Sequence, residues 1–176
     1  LGSWSESVQG FTVGALAAVN VLGSIGDPET GDWVKGGEPM GEPLSGEWRG
    51  QTTLVVVATD APLNPRNLDR LGLRAIMGLA RTGSYASNGS GDYVIAFSTD
   101  PDVRKPRESS TPVMTEQVVN ASMSPLFAAT AEATEEAIYN AIFKATTLTS
   151  SRGTLEAVPM DRLMEILEKH QVLNWD

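Results

Sequence analysis

TTLVVVATDAPLNP, Thr52 to Pro65, is the stretch that decides the fold. Its first half, Thr53 to Thr59, is β-branched and apolar and predicts a buried strand. Its second half carries a helix start: Asn64 is a capping residue and Pro65 fits the first helical position, where its missing N–H costs nothing. Leu68, Leu71, Ala75 and Leu79 follow at helical spacing, and Thr82-Gly83 ends the run. Turn residues from Ser87 to Asp92 then lead into Tyr93 to Ser98 (YVIAFS), a second apolar strand, so the middle of the chain reads strand, helix, strand.

Upstream, Phe11 to Val21 (FTVGALAAVNV) is apolar nearly throughout and predicts a strand buried on both faces. Gly23 to Gln51 is rich in Gly, Pro and charge without apolar period, and reads as a long exposed loop; such loops are functional or disordered when they occur in compact domains. Downstream, Asp100 to Ser110 is polar and reads as a surface connection. Ser124-Pro125 opens a long helix to about Ala145, with Phe127, Ala131, Ile138, Ala141 and Ile142 as core contacts. Pro159 opens a last helix with Met160, Leu163 and Leu167 on one face. Long helices beside apolar strands predict layers of helix packed on sheet.

With 176 residues and 41% hydrophobic content the chain is long enough for one domain with a sizeable core. Lys and Arg total 13 against 22 Asp and Glu, a formal charge of -9, which disfavours nucleic acid or an anionic membrane as the main partner. There is no cysteine and one histidine, so neither a disulfide framework nor a zinc site is expected, and no cofactor is implied. No stretch approaches the roughly 18 apolar residues of a membrane span. The chain opens on Leu1-Gly2-Ser3-Trp4 as if inside a domain, so an upstream part is expected and compartment stays open.

Thr52 stands where a loop meets a buried strand. If the chain is cut between Gln51 and Thr52, Thr52 becomes an amino terminus whose α-amine, with a reference pKa of about 7.7 to 8.0, can activate its own hydroxyl. Thr-Thr at a strand edge is also what β-branched propensity alone produces, and a cut one residue later would make Thr53 the terminus instead. Ser87 to Asp92 likewise reads as a plain turn on its own.

Taken together, Thr52 to Pro65, the following helix to Gly83, and the block SNGSGDYVIAFST resemble the DmpA-type peptidases, the L-aminopeptidase/D-amidase-esterase and β-peptidyl aminopeptidase family. The resemblance covers most of the chain from Phe11 onward. It implies an α/β fold, a layered α-β-β-α sandwich of which this chain is a C-terminal part. It also implies a precursor that cuts itself between Gln51 and Thr52. Residues 1–51 would then close the larger subunit and residues 52–176 form the smaller one.

By the same resemblance Thr52 is the nucleophile, Ser90 and Asp92 of the Ser-Gly-acidic motif form its relay, and Asn20 donates to the oxyanion. Short peptides or amides are the implied substrates and a homo-oligomer the implied assembly. The residue types suit the chemistry: attack on an amide needs an activated hydroxyl, a group that shares its proton and a neutral donor at the developing charge. Two departures matter. Thr stands where many aminopeptidases of this kind carry Ser, which is reminiscent of endo-acting nylon-oligomer hydrolases, and Asp92 stands where some carry Glu. An acyltransferase like the ornithine acetyltransferases and a non-catalytic homologue are the other readings.

The remaining polar residues read as structural. Glu132, Glu135 and Glu136 form a solvated helix face, His170 a helix-end residue, and Arg81 with Asp60 a structural pair flanking the core strands. Trp33 and Trp48 in the long loop are either covers for the site or packing anchors.

Overall fold

The computed structural model describes residues 1–20, 25–26, 33–35, 52–86, 88–105, 107–108, 110–112, 114–151 and 153–171. Its centre is a four-stranded sheet of order β1-β2-β5-β6, built from β1 (Gly2–Val8), β2 (Phe11–Asn20), β5 (Thr52–Thr59) and β6 (Tyr93–Ser98). β3 (Ile25–Gly26) pairs with β4 (Trp33–Lys35), and β7 (Leu148–Ser150) with β8 (Gly153–Leu155), as two small antiparallel ladders. β1, β2 and β5 are antiparallel in turn, whereas β6 runs parallel to β5 and therefore needs the crossover helix α1 (Pro65–Arg81).

α1 begins as the sequence dictates. The Asn64 side chain accepts from the Asn67 N–H at 2.9 Å and Pro65 occupies the first turn. Leu71, Ala75 and Leu79 are buried, and Leu68 packs partly against them. α2 (Met123–Phe143) lies beside α1 with an alanine-rich buried stripe that includes Ala133, Ala137 and Ile138. Small residues let it approach closely: a Cβ at Gly78 of α1 would lie 2.8 Å from Cβ of Thr134 and against the Ala131 carbonyl. Fully buried Leu63, Leu71, Leu126 and Ile138 each contribute roughly 1.5–3 kcal/mol through apolar burial.

Both long helices cover the same sheet face, the one carrying Val13, Ala15, Ala17, Val55 and Val57. These are two layers of the α-β-β-α sandwich, one of helices and one of sheet. The other face holds Leu16, Leu54, Tyr93, Ile95 and Phe97, all exposed. This corrects the expectation that β2 is buried on both faces, and the apolar strand β6 is open on the same side. The apolar character of both faces is real, but among the described residues helices pack on one of them only.

Other expectations are adjusted. β1 and the β7–β8 hairpin were not foreseen, because β1 alternates serines with other residues and the hairpin strands are three residues each. The expected structureless loop from Gly23 contains β3 and β4; the rest of it, with Trp48 and Gln51, lies outside the described residues, as do Ser87 and Trp175. α3 (Met160–Lys169) follows Pro159 as read, with Leu163 buried, Met160 exposed and His170 at its C-cap.

Asp60 and Arg81 do not pair. Asp60 lies beyond the end of β5 and accepts from the Thr12 N–H at 2.7 Å, while α1 has carried Arg81 back along the sheet to Glu135 at 3.3 Å. Glu135 is accordingly not part of a purely solvated face. It also accepts from the Tyr139 hydroxyl at 3.2 Å, and burial together with this carboxylate pushes the Tyr139 phenol above its usual value.

Candidate active site

Strand direction gathers the candidate residues. β5 and β6 are parallel and begin at the same edge of the sheet, and β2, antiparallel to β5, ends there. The last residue of β2, Asn20, is therefore the direct cross-strand partner of the first residue of β5, Thr52. Directly paired residues put their side chains on the same face, and alternation along β5 puts Thr52 on the face away from the helices, since Thr53 points inward and is 2% exposed.

Ser90 and Asp92 arrive by the connection from α1 to β6. Its reversal uses left-handed backbone at Gly83 (φ 94), Ala86 (φ 50) and Gly89 (φ 93), the alanine at a cost of roughly 1–2 kcal/mol. Asp92 stands immediately before β6, and register sets Tyr93 beside Leu54. Its carboxylate then spans two neighbours. Oδ1 accepts from the backbone N–H of Thr53 at 3.0 Å, and Oδ2 accepts from Oγ of Ser90 at 2.7 Å. Thr52, Ser90 and Asp92 are half-buried and Asn20 is exposed.

The four candidates thus share one end of the sheet, although Asn20 and Thr52 are 32 residues apart in sequence and Thr52 and Ser90 are 38 apart. A carboxylate oxygen has no hydrogen to give, so the Ser90 hydrogen must point at Asp92 and the free lone pairs of Ser90 Oγ can accept another. That leaves Ser90 able to take a proton from a neighbouring hydroxyl or ammonium. Asn20 offers an amide donor without charge. Sequence reading missed the Thr53 backbone amide as the second ligand of Asp92; a main-chain donor leaves no signal in residue type.

Among the described residues no group of three or more His, Cys, Asp or Glu could hold a metal ion, and no helix is long and apolar enough to cross a membrane. A shallow groove of about 690 Å³ lies between α1 and α2, lined by Arg74, Met77, Phe127 and Ala131 among others. It belongs to the helix layer, on the opposite side of the sheet from Thr52. Both of its arginines are engaged, Arg74 with its guanidinium 4.1 Å above the Phe127 ring and Arg81 with Glu135 at 3.3 Å.

Comparison with known proteins follows the same outline. The family model described as peptidase family S58 matches residues 1–155. The β-peptidyl aminopeptidase BapA of Sphingosinicella microcystinivorans is 35% identical, with 93% of this chain aligned to 44% of that protein. The crystal structure of the PH0078 protein from Pyrococcus horikoshii OT3 superposes with a TM-score of 0.75 at 33% identity, covering 97% of this chain and 47% of that one. The L-aminopeptidase D-Ala-esterase/amidase from Ochrobactrum anthropi, a prototype for the serine aminopeptidases and a variant of the Ntn hydrolase fold, superposes with a TM-score of 0.70 at 28% identity, covering 98% and 48%. The chain spans about half the length of the relatives it matches.

Proposed function

The chain belongs to peptidase family S58, and from that premise we propose that it carries the nucleophile-bearing part of a self-processing N-terminal nucleophile aminopeptidase. Cleavage between Gln51 and Thr52 frees the Thr52 amine. Residues 1–51 then end the larger subunit and residues 52–176 form the smaller. An upstream part of the larger subunit supplies the second sheet, which packs on the open apolar face of β2, β5 and β6. Short peptides, amides or esters with a free amino end are the substrates, and the protein works as a homo-oligomer.

In the mature site Oγ of Thr52 attacks the scissile carbonyl carbon. Its proton passes to the Thr52 α-amine, directly or through Ser90, and the carbonyl oxygen becomes an oxyanion that takes a hydrogen bond from the Asn20 amide. Collapse breaks the C–N bond, the leaving nitrogen takes the stored proton, and the acyl group stays on Thr52 as an ester. Water attacks that ester with the same groups in reversed order, releasing the acid and restoring the hydroxyl. In the direct route Asp92 keeps the Ser90 hydrogen turned toward itself; in the relay Ser90 gives its own hydrogen to the amine as it accepts that of Thr52, and Asp92 then takes the hydrogen bond of the new one. Its second bond, to the Thr53 N–H, ties the relay to the first residues of β5.

The observation that carries this reading is the convergence of Asn20, Thr52, Ser90 and Asp92 at one sheet end, with Asp92 bonded both to Ser90 and to the backbone beside Thr52. The intact mass of the natural gene product containing this sequence tests it, wild type beside Thr52→Ala. Wild type should yield two fragments meeting between Gln51 and Thr52, and the variant should stay whole. A wild-type protein that stays whole, or is cut elsewhere, overturns the assignment.

A further inference from the structure

The mechanism uses the polar groups at the sheet end but leaves the large side chains beside them unexplained. Leu54 follows Thr52 by two residues on the same face, and its partner across the parallel ladder is Tyr93. Both are open on that face, Leu54 48% and Tyr93 66% exposed. Tyr93 is a diagonal neighbour of Thr52 across the parallel pair; a strand spacing of about 4.8 Å and two residues of rise put such neighbours roughly 8 Å apart, within reach of an aromatic side chain. Along the same face, farther from Thr52, stand Leu16, Val56, Ile95 and Phe97.

The composition of this face is graded. The large side chains away from Thr52 are pure hydrocarbon, suited to a dry sheet-to-sheet core. The row next to Thr52 carries a tyrosine, whose hydroxyl needs a hydrogen-bond partner if it is covered. A tyrosine at that row is stable if its ring is covered by something apolar while its tip stays at a wet rim. An acyl group on Thr52 Oγ provides that cover, because the side chain of its α-carbon lies only two bonds from the ester carbonyl.

We infer that Tyr93, backed by Leu54, is the specificity-determining wall of the acyl pocket, and that it selects peptides or amides whose N-terminal residue bears a bulky apolar side chain. This rests on Thr52 being the nucleophile, and deepens that reading by naming the substrate class. Tyr93 takes no part in proton transfer. Its contribution is apolar cover for the substrate side chain, so its loss acts on the choice among substrates rather than on turnover of the smallest one.

The test uses the natural gene product carrying this sequence, as wild type, Tyr93→Ala and Tyr93→Phe, with glycyl, alanyl, leucyl and phenylalanyl p-nitroanilides. Wild type should favour the leucyl and phenylalanyl substrates over the glycyl one. In Tyr93→Ala that preference, as a ratio of kcat/KM, should fall roughly 10- to 100-fold, mainly through KM, with the glycyl rate retained. Tyr93→Phe keeps the ring and should hold the ratio within about threefold of wild type. An unchanged ratio in Tyr93→Ala, or an equal loss on all four substrates, overturns the inference.

If Tyr93→Ala does not fold, Tyr93→Thr replaces it, since threonine keeps strand propensity but removes the apolar cover, and an unchanged ratio of phenylalanyl to glycyl substrate overturns the inference in the same way. Intact mass separates the two levels of failure. A wild-type protein left unprocessed refutes the nucleophile, whereas a processed and active enzyme indifferent to residue 93 refutes only the pocket wall.

Discussion

Replacing Asp92 with asparagine keeps the shape of the side chain and reverses one hydrogen bond. In the structure Oδ1 accepts from the Thr53 N–H at 3.0 Å and Oδ2 accepts from Ser90 Oγ at 2.7 Å. Asparagine can still accept the Thr53 N–H through its carbonyl, but its amide nitrogen then faces Ser90 and can only donate. Ser90 must accept that hydrogen through one lone pair and turn its own hydrogen away from residue 92, so a donor takes the place of one of the two lone pairs that were open to Thr52. Asp92→Ala removes both bonds and leaves the N–H of a residue only 2% exposed without its acceptor.

The two variants should therefore separate stability from chemistry. Leaving a buried donor unsatisfied costs about 1–3 kcal/mol, so Asp92→Ala should lose that much in urea unfolding, while Asp92→Asn should stay within about 1 kcal/mol of wild type. General acid–base participation contributes roughly 10²- to 10⁴-fold, and both variants should lose a factor in that range in the rate of self-cleavage, followed by intact mass against time. Asp92→Asn that matures and turns over like wild type would refute the argument from the direction of the Ser90 hydrogen. Equal destabilisation of both variants would refute the role given to the Thr53 bond.

Asn20→Ala should lower turnover by roughly 10²- to 10³-fold, the usual effect of losing an oxyanion donor, measured as kcat on a p-nitroanilide; full activity would remove Asn20 from the site. Gly78→Ala should destabilise by about 1–3 kcal/mol in urea despite alanine's better helix propensity, because its Cβ would press on the Ala131 carbonyl and Thr134. Tyr139 has its phenol raised above 10.0, by burial first and by Glu135 next. The stability this represents is present below the unfolded-state value and is lost as pH rises through the folded one. Wild type should therefore lose stability above pH 10 in thermal unfolding, and Tyr139→Phe should flatten that decline.

The sequence by itself determined the long helices, the three apolar strands and their order, whereas β1, the β3–β4 ladder and the β7–β8 hairpin left no local signal. Asn64-Pro65 with leucines at helical spacing states where α1 begins and which side it buries, and the β-branched runs Thr52–Thr59 and Tyr93–Ser98 can hardly be anything but strands. These depend on backbone propensity, capping and period, which are properties of neighbouring residues. The hydroxyl, carboxylate and amide candidates sit at turns and strand ends, where local pattern alone reads as plain structure, and it was the family resemblance that singled them out.

Only the tertiary structure decided how those pieces meet. The parallel pairing of β5 with β6 and the antiparallel pairing with β2 put Asn20, Thr52 and Asp92 at one edge and carried Asp60 away from Arg81. Pairing direction and register are set by contacts between distant segments, so no local pattern encodes them. The same holds for which sheet face the helices cover. β2 and β6 are apolar on both faces, and composition alone cannot say that α1 and α2 pack on the side of Val13 and Val57 and leave Thr52, Leu54 and Tyr93 on the other.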